Sequence, residues 1–450
     1  MRAVFSPEQT LRHMLAFEAA LALAEARTGV IPQAAAEVIA RCCRVELLDS
    51  QRLTNDAVEA GNMAIPLVKQ LTGNVREAAT QAAGYLHWGA TSQDAIDSGM
   101  ALQLREALAL MQRGVASLSA EVAALTEKHR STLLAGRTLL QHAVPITFGL
   151  KAAGWLDALV RQQQRLRELK PRVLVLQFGG AAGTLASLGD RGLAVAAALA
   201  EELKLGLPAI SFHTHRDRIV ETAAWCGLLT GLLGKMACDL SLAMQTEVGE
   251  ALEGAAEGRG GSSTMPHKRN PVAAAAVLAA AIRVPGLLST LFAGMVQEHE
   301  RGLGGWQAEW ETVPEIFILT ARALERMTAL VAGLEVHPER MRANLDWTQG
   351  LVMAEAATMA LGEKLGLGSA HRLVADASRR ALAEHRSLQA VLAEDSEASK
   401  HLGPAELEAL FDPLLHTGVA QQLIDRVLAE HRRVLAEYRC AAAEPAQEKT

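Results

Sequence analysis

A chain of 450 residues, half of them hydrophobic and 21% charged, has the length for about three domains' worth of core and the balance of an ordinary globular protein. Its formal net charge of −6 excludes nucleic-acid binding by bulk charge. Aromatics at 4%, against abundant Ala and Leu, favour helices over strands.

No run reads as long and apolar enough to cross a bilayer, the Ala-rich Val272 to Ile282 being too short. The N-terminus lacks a charged region followed by an apolar core, so no signal peptide is expected. The five cysteines, Cys42, Cys43, Cys226, Cys238 and Cys440, make neither a CxxC pair nor a zinc pattern. An odd, scattered set suits a reducing compartment, and the expectation is a cytoplasmic protein with no membrane contact and no metal site.

Residues 1–105 read as a small helical domain. Phe5, Leu11, Met14, Leu15, Phe17, Leu21 and Leu23 mark an amphipathic helix that runs until Gly29. Asn62 to Leu71 opens another. His87-Trp-Gly-Ala-Thr-Ser-Gln-Asp94 is a polar, glycine-containing segment before a helix, with Asp94 or Ser92 as its N-cap. From Ala101 the pattern lengthens. Leu104, Leu108, Met111, Val115, Leu118, Val122 and Leu125 alternate spacings of four and three along one apolar face. Further long helices are predicted over Pro145 to Leu169, Arg216 to Glu250, Pro271 to His299 (kinked at Pro285) and Val313 to Val336. Helices of this length predict an all-α bundle over 106–350, with apolar faces that would pack against copies of the chain. Residues 351–450 form another helical unit whose last ten residues are expected to be disordered.

Between these helices lie polar interruptions. Gly136 to Gly149 holds Arg137, Thr138, Gln141 and His142. The glycine cluster Gly179, Gly180 and Gly183 lacks a βαβ context, which argues against a dinucleotide site and for close backbone approach. His213-Thr-His215 has no completing ligands nearby for a metal. Glu298-His-Glu-Arg301 and Trp306-Gln-Ala-Glu-Trp310 set charge and indole on one short connection. The densest chemistry is Gly258-Arg-Gly-Gly-Ser-Ser-Thr-Met-Pro-His-Lys-Arg-Asn-Pro271. It combines glycine freedom, three hydroxyls (Ser262, Ser263, Thr264), three potential cations (His267, Lys268, Arg269) and an Asn-Pro helix start. Free amides, the helix dipole and Lys268 would attract an anion there.

Gly261 to Pro271 resembles the fingerprint loop of the fumarase/aspartase superfamily. His87 to Asp94 and Gly136 to Gly149 resemble that superfamily's other two motif regions. The resemblance spans nearly the whole chain. It implies a three-domain helical subunit (1–105, 106–350, 351–450) whose long central helices form the core of a homotetramer, with each active site built from three subunits. It implies no cofactor, and a small carboxylate substrate. Ser262 matches the superfamily's mobile catalytic residue, which moves the proton α to a carboxylate; Lys268 and Asn270 match the groups that stabilise the resulting aci-carboxylate. Thr91, Ser92, Arg137, Gln141, His267 and Arg301 are the candidate substrate ligands.

Within the superfamily, Met265-Pro-His-Lys-Arg-Asn-Pro271 is similar to the adenylosuccinate lyase and 3-carboxymuconate cycloisomerase branches. Three features favour the cycloisomerases: Asn62-Met-Ala-Ile-Pro-Leu-Val68 where the lyases carry a His-Asp pair, Leu139 where they carry a catalytic His, and the Glu298 to Trp310 connection. The implied reaction is closure of 3-carboxy-cis,cis-muconate, a tricarboxylate, to a lactone in protocatechuate breakdown; the alternative is adenylosuccinate cleavage. With Leu139 in place of the lyase His, His142 either acts as proton donor or only hydrogen-bonds the substrate.

Overall fold

The structure is a computed structural model that describes residues 1–254, 260–261, 264–265 and 267–443. Ser262, with Gly258, Ser263 and Pro266, lies outside the described residues. The architecture is all-α, as the composition predicts, with one small β-hairpin and one two-stranded ribbon inserted in it.

The helices form where the sequence signals them. Pro7–Arg27 starts where Ser6 accepts a hydrogen bond from the Gln9 amide (3.3 Å), with proline as the first helical residue. Its Leu11, Met14, Leu15, Phe17 and Leu21 are buried against Gln33–Cys42 and Gly192–Leu203. Each such side chain contributes about 1.5–3 kcal/mol by leaving water. Ala64–Ala78 is capped by Asn62, whose Oδ1 takes the amides of Ala64 and Ile65 at 3.0 and 3.2 Å. Five long helices follow: Ser92–Lys128, Phe148–Val173, Asp217–Ala243, Val272–Ala293 and Gly305–Ala332. The alternating spacing of four and three is borne out in the first of them, where Leu104, Leu108, Met111, Val115, Leu118 and Val122 are all buried.

Three expectations need correction. Pro145 does not start a helix; it sits in a strand, and the helix begins at Phe148. Neither Asp94 nor Ser92 is the N-cap: Ser92 is the first helical residue, and Asp94 folds back so that its Oδ2 accepts the amide of the flanking Thr91 at 3.0 Å, the acidic half of a capping box. Two helices, not none, are long and apolar enough to cross a membrane by length and composition. They are Asp217–Ala243 and Val272–Ala293, with 44% and 28% of their most apolar stretch buried. The second carries Pro285 inside it, and its Arg283 pairs with Glu315.

By contacts the chain divides into two compact units. One holds residues 1–115, 162–231 and 279–323; the other holds 116–161, 232–278 and 324–450. The first unit's core is the N-terminal helix cluster with Leu67, Leu71, Val195 and Leu199. In the second, Leu361, Val374, Leu388 and Val391 form the core of the C-terminal helices. There also the antiparallel hairpin of β1 (Leu133–Thr138) and β2 (Gln141–Thr147) packs on the helix Pro338–Asp346. A second ribbon pairs β3 (Ala251–Leu252) with β4 (Glu335–Val336).

Candidate functional site

In the first unit, the segment His87 to Asp94 is organised by one buried carboxylate. Asp94 Oδ1 accepts hydrogen bonds from Gly179 N (3.0 Å), Gln177 Nε2 (3.2 Å) and His213 Nε2 (2.9 Å), while Oδ2 accepts from Gly180 N (2.9 Å) and Thr91 N. Close backbone approach is the use of Gly180, against the loop at Gly89 rather than between helices; a Cβ at Gly179 or Gly183 would meet the Ser211 side chain instead. Gly180 has φ +68°, and a Cβ there would stand 2.9 Å from the Gly89 carbonyl oxygen. His213 is a hydrogen-bonded core residue. Thr91 and Ser92 are half-buried on the loop so fixed.

Arg301 joins the same assembly. Its Nη1 donates to Gln93 Oε1 (2.7 Å) and its Nη2 to the Ala181 carbonyl (2.8 Å), so its guanidinium cross-links the loop rather than standing free. Beneath lies a buried cluster. Arg216, whose side chain is 1% exposed, bonds Asp97 at 2.7 Å and Glu309 at 2.5 Å, and Trp306 Nε1 donates to Asp97 Oδ1 at 2.9 Å. Trp306 packs edge-on against Trp310, ring centres 4.9 Å apart. Burial lifts the Glu309 carboxyl above the ordinary range, against the pull of Arg216.

In the second unit, Arg137, Gln141 and His142 share the β1–β2 hairpin. Its two-residue turn is Leu139-Leu140, with φ +50° and +65° and exposures of 97% and 75%. Both residues are left-handed, as a tight type I′ hairpin turn demands, but neither is the Asn or Gly that adopts it cheaply. Arg137, expected as a substrate ligand, grips Glu250 with both Nη atoms at 2.9 and 2.6 Å, and Glu250 is nearly fully buried. Asn344 Nδ2 donates to the same carboxylate at 3.0 Å. Gln141 is exposed. His142 is half-buried with Nδ1 enclosed and without a hydrogen-bond partner among the described residues. Burial, then the Arg137 charge, push its imidazole below the ordinary histidine value.

Arg137 thus anchors the hairpin at Glu250, the residue before β3, and the cationic loop is anchored on the same ribbon. Arg269 makes a bidentate pair with Glu335 of β4 at 2.8 and 2.9 Å and also bonds the Glu253 carbonyl. His267 and Lys268 are exposed and Asn270 is half-buried, its amide donating to Gly260 O at 2.8 Å. The helix start after Pro271 is not an open anion site. Glu253, 6% exposed, places its carboxylate on the amides of Ala273 (3.1 Å) and Ala274 (2.9 Å). The dipole and free amides do attract an anion, and the protein supplies it from its own chain.

Sequence comparison places this arrangement. A family profile described as lyase matches residues 1–286, and one described as adenylosuccinate lyase C-terminus matches residues 350–427. The chain belongs to the fumarase/aspartase superfamily of lyases. It is 56% identical to a 3-carboxy-cis,cis-muconate cycloisomerase of Pseudomonas aeruginosa over 96% of this chain and 94% of that one. It is 52% identical to the Bradyrhizobium diazoefficiens protein of the same name over 95% of each. Among solved structures, the 3-carboxy-cis,cis-muconate lactonizing enzyme from Pseudomonas putida superposes with a TM-score of 0.92 at 50% identity, covering 97% of both chains.

In this member of the superfamily, sequence reasoning missed Glu250 and Glu253, which hold two of the motif regions, and Glu18, which holds His87 at 2.7 Å. It also missed Lys151, in the first turn after β2, whose ammonium burial makes less basic against the pull of Asp239.

Proposed function

We propose that this chain is a 3-carboxy-cis,cis-muconate cycloisomerase that forms 4-carboxymuconolactone, in the protocatechuate branch of aromatic degradation. The observation that carries the reading is identity of 50% and above, over nearly the full length, to proteins of that name. Leu139 at the hairpin tip supports it, because an apolar side chain there cannot serve as the imidazole acid of the related lyases.

The reaction is the attack of one substrate carboxylate oxygen on a diene carbon. A C–O bond forms, the π electrons move to the neighbouring carbon, and a proton adds to it. A trianion becomes a dianion, so each turnover takes up one proton. The intermediate is an aci-carboxylate, and fixed donors around it stabilise it better than water. We assign Lys268 and Asn270 to that charge and Ser262 to the proton at carbon. Thr91, Ser92, Gln141 and His267 are assigned to the carboxylates. His142, kept neutral by burial and Arg137, suits a hydrogen-bonding role better than that of an acid. Arg137 and Arg301 act by holding their loops in shape. No cofactor is invoked; orientation and charge complementarity supply the catalysis.

The apolar face of Val272–Ala293, with Ile282 77% and Phe292 53% exposed, supports a homotetramer in which such faces are covered by copies of the chain. Active sites shared between subunits, a three-domain subunit and a cytoplasmic location complete the reading. The deciding experiment is a spectrophotometric assay with 3-carboxy-cis,cis-muconate and a chelator present. Loss of diene absorbance with a lactone product is expected; turnover of adenylosuccinate instead overturns the reading.

A further inference from the structure

Several arginines on or beneath the motif segments end on carboxylates. Arg137 pairs with Glu250, Arg269 with Glu335, and Arg216 with Asp97 and Glu309. Arg301 does not. Its guanidinium takes only neutral acceptors: Gln93 Oε1 at 2.7 Å, the Ala181 carbonyl at 2.8 Å and the Gly180 carbonyl at 3.5 Å. It makes no ion pair among the described residues, and it is half-buried rather than enclosed.

Gln93 makes this arrangement possible. It is fully buried in the first turn of Ser92–Lys128, between Ser92 and Asp94. Its Nε2 donates one hydrogen to Asp97 Oδ2 (3.1 Å) and the other to the His213 carbonyl (2.8 Å), while its Oε1 accepts from Arg301. Every polar atom of the side chain is used, and only one orientation of the amide serves. Turned over, it would set an NH2 against the guanidinium and an oxygen against a carboxylate and a carbonyl. The amide dipole therefore lies with its positive end on Asp97 and its negative end on Arg301. Asp97 is itself held by Arg216 and by Trp306 Nε1 at 2.9 Å, so the clasp is anchored in the buried cluster. A glutamate here would neutralise Arg301 on contact and stand against the Asp97 carboxylate. The glutamine orients the cation and leaves its charge in force.

We infer that Gln93 is a positioning residue for substrate capture: it clasps Arg301 through a neutral amide, so that an uncancelled guanidinium charge is fixed at the loop of Thr91 and Ser92 to attract a tricarboxylate. The proposal rests on the tricarboxylate reading above. Arg301 keeps its part in holding the loop and adds a fixed positive field. A substrate with three carboxylates gains more from that field than a monocarboxylate does, and salt screens the gain.

The test compares wild type, Gln93→Glu and Gln93→Met in steady-state assays with 3-carboxy-cis,cis-muconate, with urea unfolding of each protein in parallel. Salt is varied from about 0.01 M to 1 M, over which the Debye length falls from about 30 to 3 Å. Gln93→Glu cancels the charge. It should raise KM about 10- to 100-fold at low salt, change kcat far less, and flatten the fall of kcat/KM with salt. Gln93→Met frees the guanidinium without neutralising it. Its KM should rise by less, about 3- to 10-fold, and its salt dependence should stay that of wild type. Unchanged KM in Gln93→Met, or one salt dependence common to all three proteins, overturns the proposal. If Gln93→Glu does not fold, Gln93→Met decides by its KM alone. Calorimetric binding of tricarballylate, an unreactive tricarboxylate, repeats the comparison without turnover and should weaken in the same order; equal affinities overturn the proposal. Failure of wild type to turn over the muconate would count against the assigned reaction, while tricarballylate binding still reads the clasp.

Discussion

Glu253 Oε1 accepts the Ala274 amide at 2.9 Å and so closes the amino end of a helix that begins beyond the cationic loop. A carboxylate in that position satisfies two orphan amides and lies at the positive end of the helix dipole. Glu253→Ala is expected to lower stability by about 1–2 kcal/mol in urea unfolding, and Glu253→Gln by less. Because the capped turn carries Lys268 and Asn270, kcat/KM should fall with stability. Equal urea midpoints for Glu253→Ala and wild type would remove the capping role.

Among the described residues, Arg216 is the cation that pairs with both buried carboxylates, Asp97 and Glu309. Arg216→Met strands both, and a loss of about 3–5 kcal/mol is expected near pH 7. Without the guanidinium the Glu309 carboxyl, already lifted by burial, should rise further. The deficit should then shrink as pH falls and Glu309 takes up a proton. Urea unfolding at pH 7 and pH 5 checks this; an equal deficit at both would mean that lost packing, not unpaired charge, is responsible.

Glu25 is fully buried, and neither of its carboxylate oxygens has a hydrogen-bond partner among the described residues. Burial first, then the Glu18 charge, push it up to about 9. An acid raised in this way binds its proton more tightly in the folded state, so stability is lost as pH climbs from the ordinary carboxylate value to the raised one. Glu25→Gln removes that loss. It should stabilise the protein by roughly 3 kcal/mol at pH 7. The gain should grow between about pH 4.5 and 9 and level off above. A gain independent of pH would show that Glu25 does not titrate in this range.

The Leu139-Leu140 turn holds two exposed leucines in left-handed backbone. Replacing them together by Asn-Gly should raise stability by about 1–3 kcal/mol, read as a higher Tm. Turnover of 3-carboxy-cis,cis-muconate should fall at the same time, the pattern expected of strain retained for function. Higher Tm with full turnover would make the tip a mere connection.

The long helices were legible because their apolar spacing is local and repeats over many turns, as in Leu104 to Val122. The β1–β2 hairpin was not. Its strands are short, Pro145 reads as a helix start, and Leu139-Leu140 carries none of the Asn or Gly that announces such a turn. The motif loops were found by their residue types, but not what holds them. Arg137 meets Glu250 across 113 positions, Arg301 meets Gln93 across 208, and His87 meets Glu18 across 69. Distances of that kind leave no periodicity to read. For the same reason the arginines looked available for substrate until their partners were seen.

Asp94 draws its hydrogen bonds from Thr91, from Gln177 to Gly180 and from His213, the last 119 residues further along the chain. On the ribosome, at about 5–20 residues per second, that partner emerges roughly 6 to 24 s after Asp94 does. Until then this carboxylate is hydrated, and the loop of Thr91 and Ser92 has no fixed shape. The loop therefore matures only near the midpoint of synthesis, after the helices on either side of it have had time to form.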